Sequence, residues 1–239
     1  MPMPTRRALL LAPLATPALA QGWPSRPITF VVPFPPGGTS DAMGRLAAQE
    51  LARGLGATVV VENRAGANGN IGSASVARAA PDGHTLLLSG VGSHGINAGI
   101  YRAMPHDPVR DFAHATMIAS GPNAIAVHPG FAARDLAGLV ALLRREPGRH
   151  DYASSGIGSS SHVAMELFRQ KAGLDAVHVP YRGGAQAMTD VMSGNVPILI
   201  TNADAVAPHA RDGRLRVLAV TSERRNALFP EVPSLAEAG

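Results

Sequence analysis

The sequence predicts an α/β protein in which strands and helices alternate along the whole chain. Three observations carry this. Short apolar runs rich in β-branched residues are each followed by a Gly, Pro or Ser break and then by a stretch with helical periodicity. Hydrophobic residues make up 46% of the 239, enough to bury a core, while charged residues are only 16%, which excludes a disordered chain. Cysteine is absent, which excludes a disulfide scaffold, thiolate metal sites, iron–sulfur clusters and a catalytic cysteine.

The elements follow in order. The chain opens with Arg6-Arg7, an apolar stretch over 8–19 and the small-x-small triplet Ala18-Leu19-Ala20, which together predict a signal peptide over residues 1–20. The stretch is too short to span a bilayer. A strand over Ile28–Val32 is closed by the Pro/Gly turn at 33–38. Thr39 or Ser40 then caps a helix to about Arg53, with Met43, Leu46, Ala47 and Leu51 on one face. A strand over 58–61, a Gly/Asn-rich loop at 66–70, a helix over 71–80, a strand over 85–89 and a helix over 96–103 come next. Beyond them lie a strand over 124–128 and a helix capped by Asp135 that Pro147-Gly148 ends. A strand over 152–155 leads through a Gly/Ser loop to a helix over 160–171. Val177–Pro180 is a strand with a helix over 186–193 behind it, and strands over 196–201 and 215–221 flank a helix over 204–211. Such alternation implies parallel sheets flanked by helices. Ser234 and Glu237 form a capping box for a helix that is only beginning where the sequence stops.

The formal net charge of +4 falls to +2 without Arg6 and Arg7, and the remaining Arg residues are scattered. With aromatics at 4% there is neither a basic stripe nor a stacking platform, so nucleic acid is excluded as a partner. Export also argues against ATP- and NAD-dependent chemistry. The sequence holds no GxxxxGK[ST] loop, HExxH or GxSxG elbow, its Gly66, Gly69 and Gly72 are spaced GxxGxxG with no acidic ribose partner evident, and no cofactor or metal is expected.

Three loops carry the functional signal. In VVPFPPGGTSD, Gly37 and Gly38 lead from a strand into a helix whose free N–H groups form an anion site, with Asp41 as a cap or a polar contact. In YASSGIGSSSH the same arrangement recurs, with Ser159 to Ser161 at the helix start and His162 in its first turn. In VPYRGGAQAM, Tyr181 supplies a hydroxyl and Gly183-Gly184 opens a helix.

These loops, together with VVVENRAGANGNIGSASVARAAPDGHTLLL, the DPVRDF at 107–112, GRLRVLAVTSERR and the terminal FPEVPSLAEAG, resemble the periplasmic solute-binding receptors of tripartite tricarboxylate transporters, the Bug-type receptors. The resemblance covers the chain from about Trp23 onward. It implies a type II periplasmic-binding-protein fold with two α/β lobes and a ligand cleft between them. Lobe 1 would comprise 21–121 plus 223–239 and lobe 2 would comprise 122–222. It implies a small carboxylate held between two helix N-termini, one from each lobe. Carried over residue by residue, the ligand contacts are Phe34, Pro36, Gly37, Gly38, Thr39 and Asp41 from lobe 1. Ser155, Gly158, Ser159, Ser160, His162, Tyr181 and Thr201 are those of lobe 2. The implied protein is a periplasmic monomer without enzymatic activity, whose partners are the carboxylate and the membrane subunits of a tripartite tricarboxylate transporter, or which serves sensing. The sequence departs from the family in reading Ile200-Thr201-Asn202 where relatives carry Phe-Asp-Asn, and in ending where relatives continue, which leaves lobe 1 incomplete. A truncated non-functional receptor fragment and a secreted serine-dependent hydrolase using Ser159 or Ser160 are the alternative readings.

Overall fold

A computed structural model describes residues 22–238. The expected signal peptide over 1–20 lies outside the described residues.

The first sheet is wholly parallel, as expected, in the order β2-β1-β3: β1 (Ile28–Val32) lies between β2 (Val59–Asn63) and β3 (Thr85–Leu87). α1 (Thr39–Leu55) connects β1 to β2 and packs across the sheet. Its approach is close at Gly44, where an added Cβ would meet the Val32 side chain and lie 3.6 Å from Leu88. Phe30, Val32 and Ala48 form the buried centre, with Leu51, Leu86 and Leu88 around it. The helix ends at Gly56, whose φ of +59° is the left-handed conformation that glycine adopts freely. α2 (Asn70–Ala77) follows the Gly/Asn-rich loop. The helix expected over 96–103 is instead a wide helical turn over Gly92–Ile96 continued by the short α3 (Asn97–Ile100).

The second sheet corrects an expectation. Its order is β6-β5-β7-β4-β8, with β5 (Asp151–Ser154) parallel to both β6 (Val177–Pro180) and β7 (Ile198–Asn202). β4 (Asn123–Val127), however, runs antiparallel to both β7 and β8 (Arg216–Val220). The reason is connectivity. β7, α7 (Ala203–Arg211) and β8 form a crossover unit, and β4 slots between its strands after the irregular 101–122 segment, so no crossover helix dictates its direction. β4 is buried along its whole length, with Ala124 and Ala126 in one apolar cluster and Ile125 and Val127 in the other, as the alternation of a strand covered on both faces requires.

The helices of this sheet begin as their sequences direct. Asp135 caps α4 (Leu136–Arg145) by accepting from Gly138 N–H at 2.7 Å. Ser159 caps α5 (Ser160–Ala172) by accepting from His162 N–H at 3.2 Å. α6 (Gly184–Met192) completes the layer. The terminal capping box is formed: Ser234 Oγ accepts from Glu237 N–H at 3.1 Å and Glu237 Oε2 accepts from Ser234 N–H at 3.0 Å. Its placement differs from the expectation that 223–239 belongs to lobe 1. Val220 N–H donates to Pro233 O and Leu235 N–H donates to Val220 O at 2.9 Å, alongside β8. Phe229, Val232 and Leu235 bury their apolar surface against the second sheet, which is what draws the segment there.

Leu139 is fully buried under α4. Leu139→Ala is expected to destabilise the protein by about 2–5 kcal/mol in chemical denaturation.

Candidate functional site

Between the two sheets lies an open cleft of about 2410 Å³. The N-termini of α1, α5, α6 and α7 all open into it, through the cleft-lining residues Gly38–Ser40, Ser159–Ser160, Gly183–Gln186 and Asn202–Ala205. The starts of α1 and α5 are the two that the sequence marks as anion sites. Gly183-Gly184 marks α6 as a helix opening, whereas α7 carries no glycine signal and is not foreseen. Pro35, Ser40 and Asp204 also line the cleft.

The four starts differ in one chemical respect. α5 is capped by the Ser159 side chain, but no side chain caps α1 at Gly38, α6 at Gly183 or α7 at Asn202. A helix leaves its first N–H groups without intrahelical partners, so these three present donors that no side chain caps at the positive end of the helix dipole, although at α7 the Ala203 N–H donates to Pro122 O at 3.0 Å. Among the described residues no Arg or Lys lines the cleft, while Glu50, Asp111 and Asp204 do.

On the first-lobe side Phe34, Pro36, Gly37, Gly38 and Thr39 line the cleft. Gly37 sits at φ +84°, which bends the loop so that its amide turns to Asp41 Oδ2 at 3.0 Å. Asp41 is a correction. It is buried and points away from the cleft, accepting from Gly37 N–H, from Asn63 Nδ2 at 2.9 Å and from Arg45 Nε at 3.1 Å. Burial pushes its carboxyl up, but Arg45, the Gly37 amide and Asn63 outweigh this and hold it below its ordinary value. Asp41 therefore shapes the loop.

On the second-lobe side Ser155, Ser159, Ser160 and Thr201 line the cleft, and Ser155 Oγ and Thr201 Oγ1 are paired at 3.1 Å. Gly184 is pressed against this pair. A Cβ there would strike Thr201 Oγ1 and lie 3.1 Å from Ser155 Oγ. Three expected contacts do not line the cleft. Tyr181 turns its hydroxyl to Asp190. His162 lies beneath the loop, where its Nδ1 accepts from Gly158 N–H at 3.3 Å and its ring stacks on His178 at 4.2 Å. Gly158 faces the first lobe, where an added Cβ would lie 2.9 Å from Asn68 Nδ2 and 3.0 Å from Asn97 Oδ1. The arrangement is not that of a nucleophile. Ser159 Oγ is committed to Gly156 O at 2.7 Å and to the α5 cap, and the serines that do meet a histidine, Ser154 with His178 and Ser93 with His94, are both fully buried.

The sequence matches the tripartite tricarboxylate transporter family receptor, TctC, over residues 43–239. The chain belongs to this family. Similar proteins include BugT of Bordetella pertussis, 38% identical over 95% of this chain and 70% of that protein. Another is the UPF0065 protein in the tcbD-tcbE intergenic region of Pseudomonas sp. strain P51, 40% identical over 90% of this chain and 64% of that protein. The chain thus spans about two thirds of the length of these curated relatives. The R. palustris protein Rpa4515 with adipate superposes with a TM-score of 0.88 at 37% identity, covering 91% of this chain and 73% of that one. MatC from Rhodopseudomonas palustris with bound malate gives 0.84 at 30% identity, covering 90% and 74%. The periplasmic binding protein BugD gives 0.82 at 30% identity, covering 91% and 72%. Members of the family are solute-binding receptors rather than enzymes, and the two-lobed periplasmic-binding-protein fold is theirs.

Because Asp41 has a lowered pKa, its contribution to stability is complete above its ordinary value of 3.8 and is lost as pH falls through the lower native value. The melting temperature of the protein should therefore fall more steeply below pH 4 in the wild type than in Asp41→Asn. Equal slopes in the two proteins would remove Asp41 from the loop's support.

Proposed function

We propose that this chain is a periplasmic receptor, exported by the signal peptide over 1–20, that captures a small carboxylate in the cleft as a monomer and delivers it to the membrane subunits of a tripartite tricarboxylate transporter. In this reading 22–121 and 122–222 form the two lobes. The observation that carries it is the convergence of three uncapped helix N-termini on one cleft that no Arg or Lys lines among the described residues. A carboxylate supplies the acceptors those N–H groups lack. Gly37, Gly38, Thr39 and Ser40 would meet one carboxylate from lobe 1. Ser155, Ser159, Ser160 and Thr201, with the starts of α6 and α7, would meet it or a second one from lobe 2. Phe34, Pro35 and Pro36 would flank an apolar stem. That adipate and malate occupy two structural neighbours supports this ligand class.

A ligand that binds only the folded state raises its melting temperature. Adipate or malate at millimolar concentration is expected to do so here, and a panel of di- and tricarboxylates without effect would overturn the reading. Gly38 is surrounded by open space, with nothing within 4 Å of an added Cβ. Gly38→Val should therefore keep its fold, cover the start of α1 and abolish the ligand-induced shift. Because dipoles rather than cations face the ligand, raising salt from low to physiological strength should weaken binding by no more than about twofold, as measured by calorimetry.

A further inference from the structure

Three rings stand in a stack beneath the second-lobe loop. The rings of Tyr152 on β5 and His178 on β6 are 4.8 Å apart at an interplanar angle of 18°, and those of His178 and His162 on α5 are 4.2 Å apart at 19°. At its upper end the stack holds the loop by backbone amides. Gly158 N–H donates to His162 Nδ1 at 3.3 Å. Gly156 N–H donates to Ser154 Oγ at 3.1 Å, which leaves the Ser154 hydroxyl hydrogen for His178 Nε2 at 2.7 Å. At its lower end Tyr152 hydrogen-bonds Glu166, which pairs with Arg169 at 2.7 Å, and Arg169 also reaches Asp175 at 3.2 Å. Glu166 and Arg169 are the charged groups that act on the two imidazoles, with opposite effects.

We propose that His162 and His178 are positioning residues of the receptor, acting as neutral acceptors that fix the loop over 155–159 in the shape that presents Ser155, Ser159 and Ser160 to the carboxylate. This rests on the carboxylate reading of the cleft. Each bond needs an unprotonated ring nitrogen: a proton on His162 Nδ1 would face the Gly158 N–H, and a proton on either ring would set a cation against its neighbour. Burial is the largest influence keeping both rings neutral, and it pushes His178 down to about 4. The loop should thus keep its shape at neutral pH and lose it as pH falls from the ordinary histidine value of 6.5 towards about 4.

The test has two arms on the full chain. In the first, without ligand, backbone amide resonances are followed from pH 7 downward. Those of Gly156 and Gly158 should move together with the imidazole titration, and in His162→Asn, which keeps an acceptor near the Nδ1 position without a titrating ring, the Gly158 shift should vanish. Amides that ignore the imidazole titration would overturn the proposal. In the second arm adipate affinity is measured at pH 7 with melting temperature as a control. His162→Phe keeps the stacked ring but removes the acceptor, and should bind roughly tenfold more weakly at unchanged melting temperature, as the loss of one loop-fixing hydrogen bond implies. His162→Asn should restore most of that loss. Wild-type affinity in His162→Phe, or equal loss in both variants, would overturn the proposal. A wild type that binds no carboxylate defeats the reading of the cleft, and the ligand-free arm still decides whether the imidazoles hold the loop.

Discussion

The site depends on amide hydrogens at helix starts that the protein leaves without side-chain partners. Other helices have such groups satisfied: Asp135 caps α4 and Ser159 caps α5. At the cleft it puts glycine at the caps of α1 and α6, and at α7 it has an Asn202 whose side chain makes no capping bond. Glycine in place of a capping side chain costs roughly a few tenths of a kcal/mol of helix stability. Three such omissions facing one cavity describe a protein that is less stable empty than it could be, with the deficit placed where an anion offsets it. Glycine serves twice here, since the same absence of a side chain that forfeits a cap also lets a ligand reach the backbone.

Electrostatic attraction without cationic side chains has consequences for selectivity. A guanidinium in the cleft would bind any anion strongly and would recognise a carboxylate by its two-pronged geometry. Amide dipoles offer weaker and more directional contacts that fall off within one helical turn. Discrimination then rests on the spacing between helix starts and on the shape of the walls that Phe34, Pro35 and Pro36 provide. Among the described residues the Arg side chains do not line the cleft but stand in pairs such as Arg64 with Glu62 and Arg169 with Glu166. The basic composition and the anion site are therefore separate properties, and net charge is a poor guide to the function.

Much of the framework is legible in the sequence because local signals agree with the tertiary result. The strand–break–helix rhythm marks nearly every element, and the Asp135 cap and the Ser234–Glu237 box form as written. What is not legible depends on contacts between distant segments. The reversal of β4 is set by the strands it slots between, and no residue within Asn123–Val127 encodes direction. Asp41 and His162 each sit in a first helical turn and chemically suit a ligand, yet both turn inward, because Asn63 on β2 and His178 on β6 wait there as partners. α7 is not recognisable as a fourth start because its opening residues carry no glycine to mark a close approach.

Where the lobes meet, glycine backbone of the second lobe faces side chains of the first. Added Cβ atoms at Gly92 and Gly158 would each lie 2.9 Å from Asn68 Nδ2, so both positions exclude larger residues where the lobes approach. Asn68 is itself held at φ +50°, with its Nδ2 donating to Asn97 Oδ1 at 2.8 Å and its carbonyl accepting from Asn97 Nδ2 at 3.1 Å. Left-handed backbone at a residue other than glycine persists where its surroundings impose it, here through the amide pairing with Asn97. The same loop of the second lobe thus faces three ways: Gly158 abuts the first lobe, Ser155 and Ser159 look into the cleft, and its amides rest on the histidine stack. Any change in the loop's shape alters the cleft and the contact between lobes together, so the capture of a ligand and the approach of the two lobes act on one short segment.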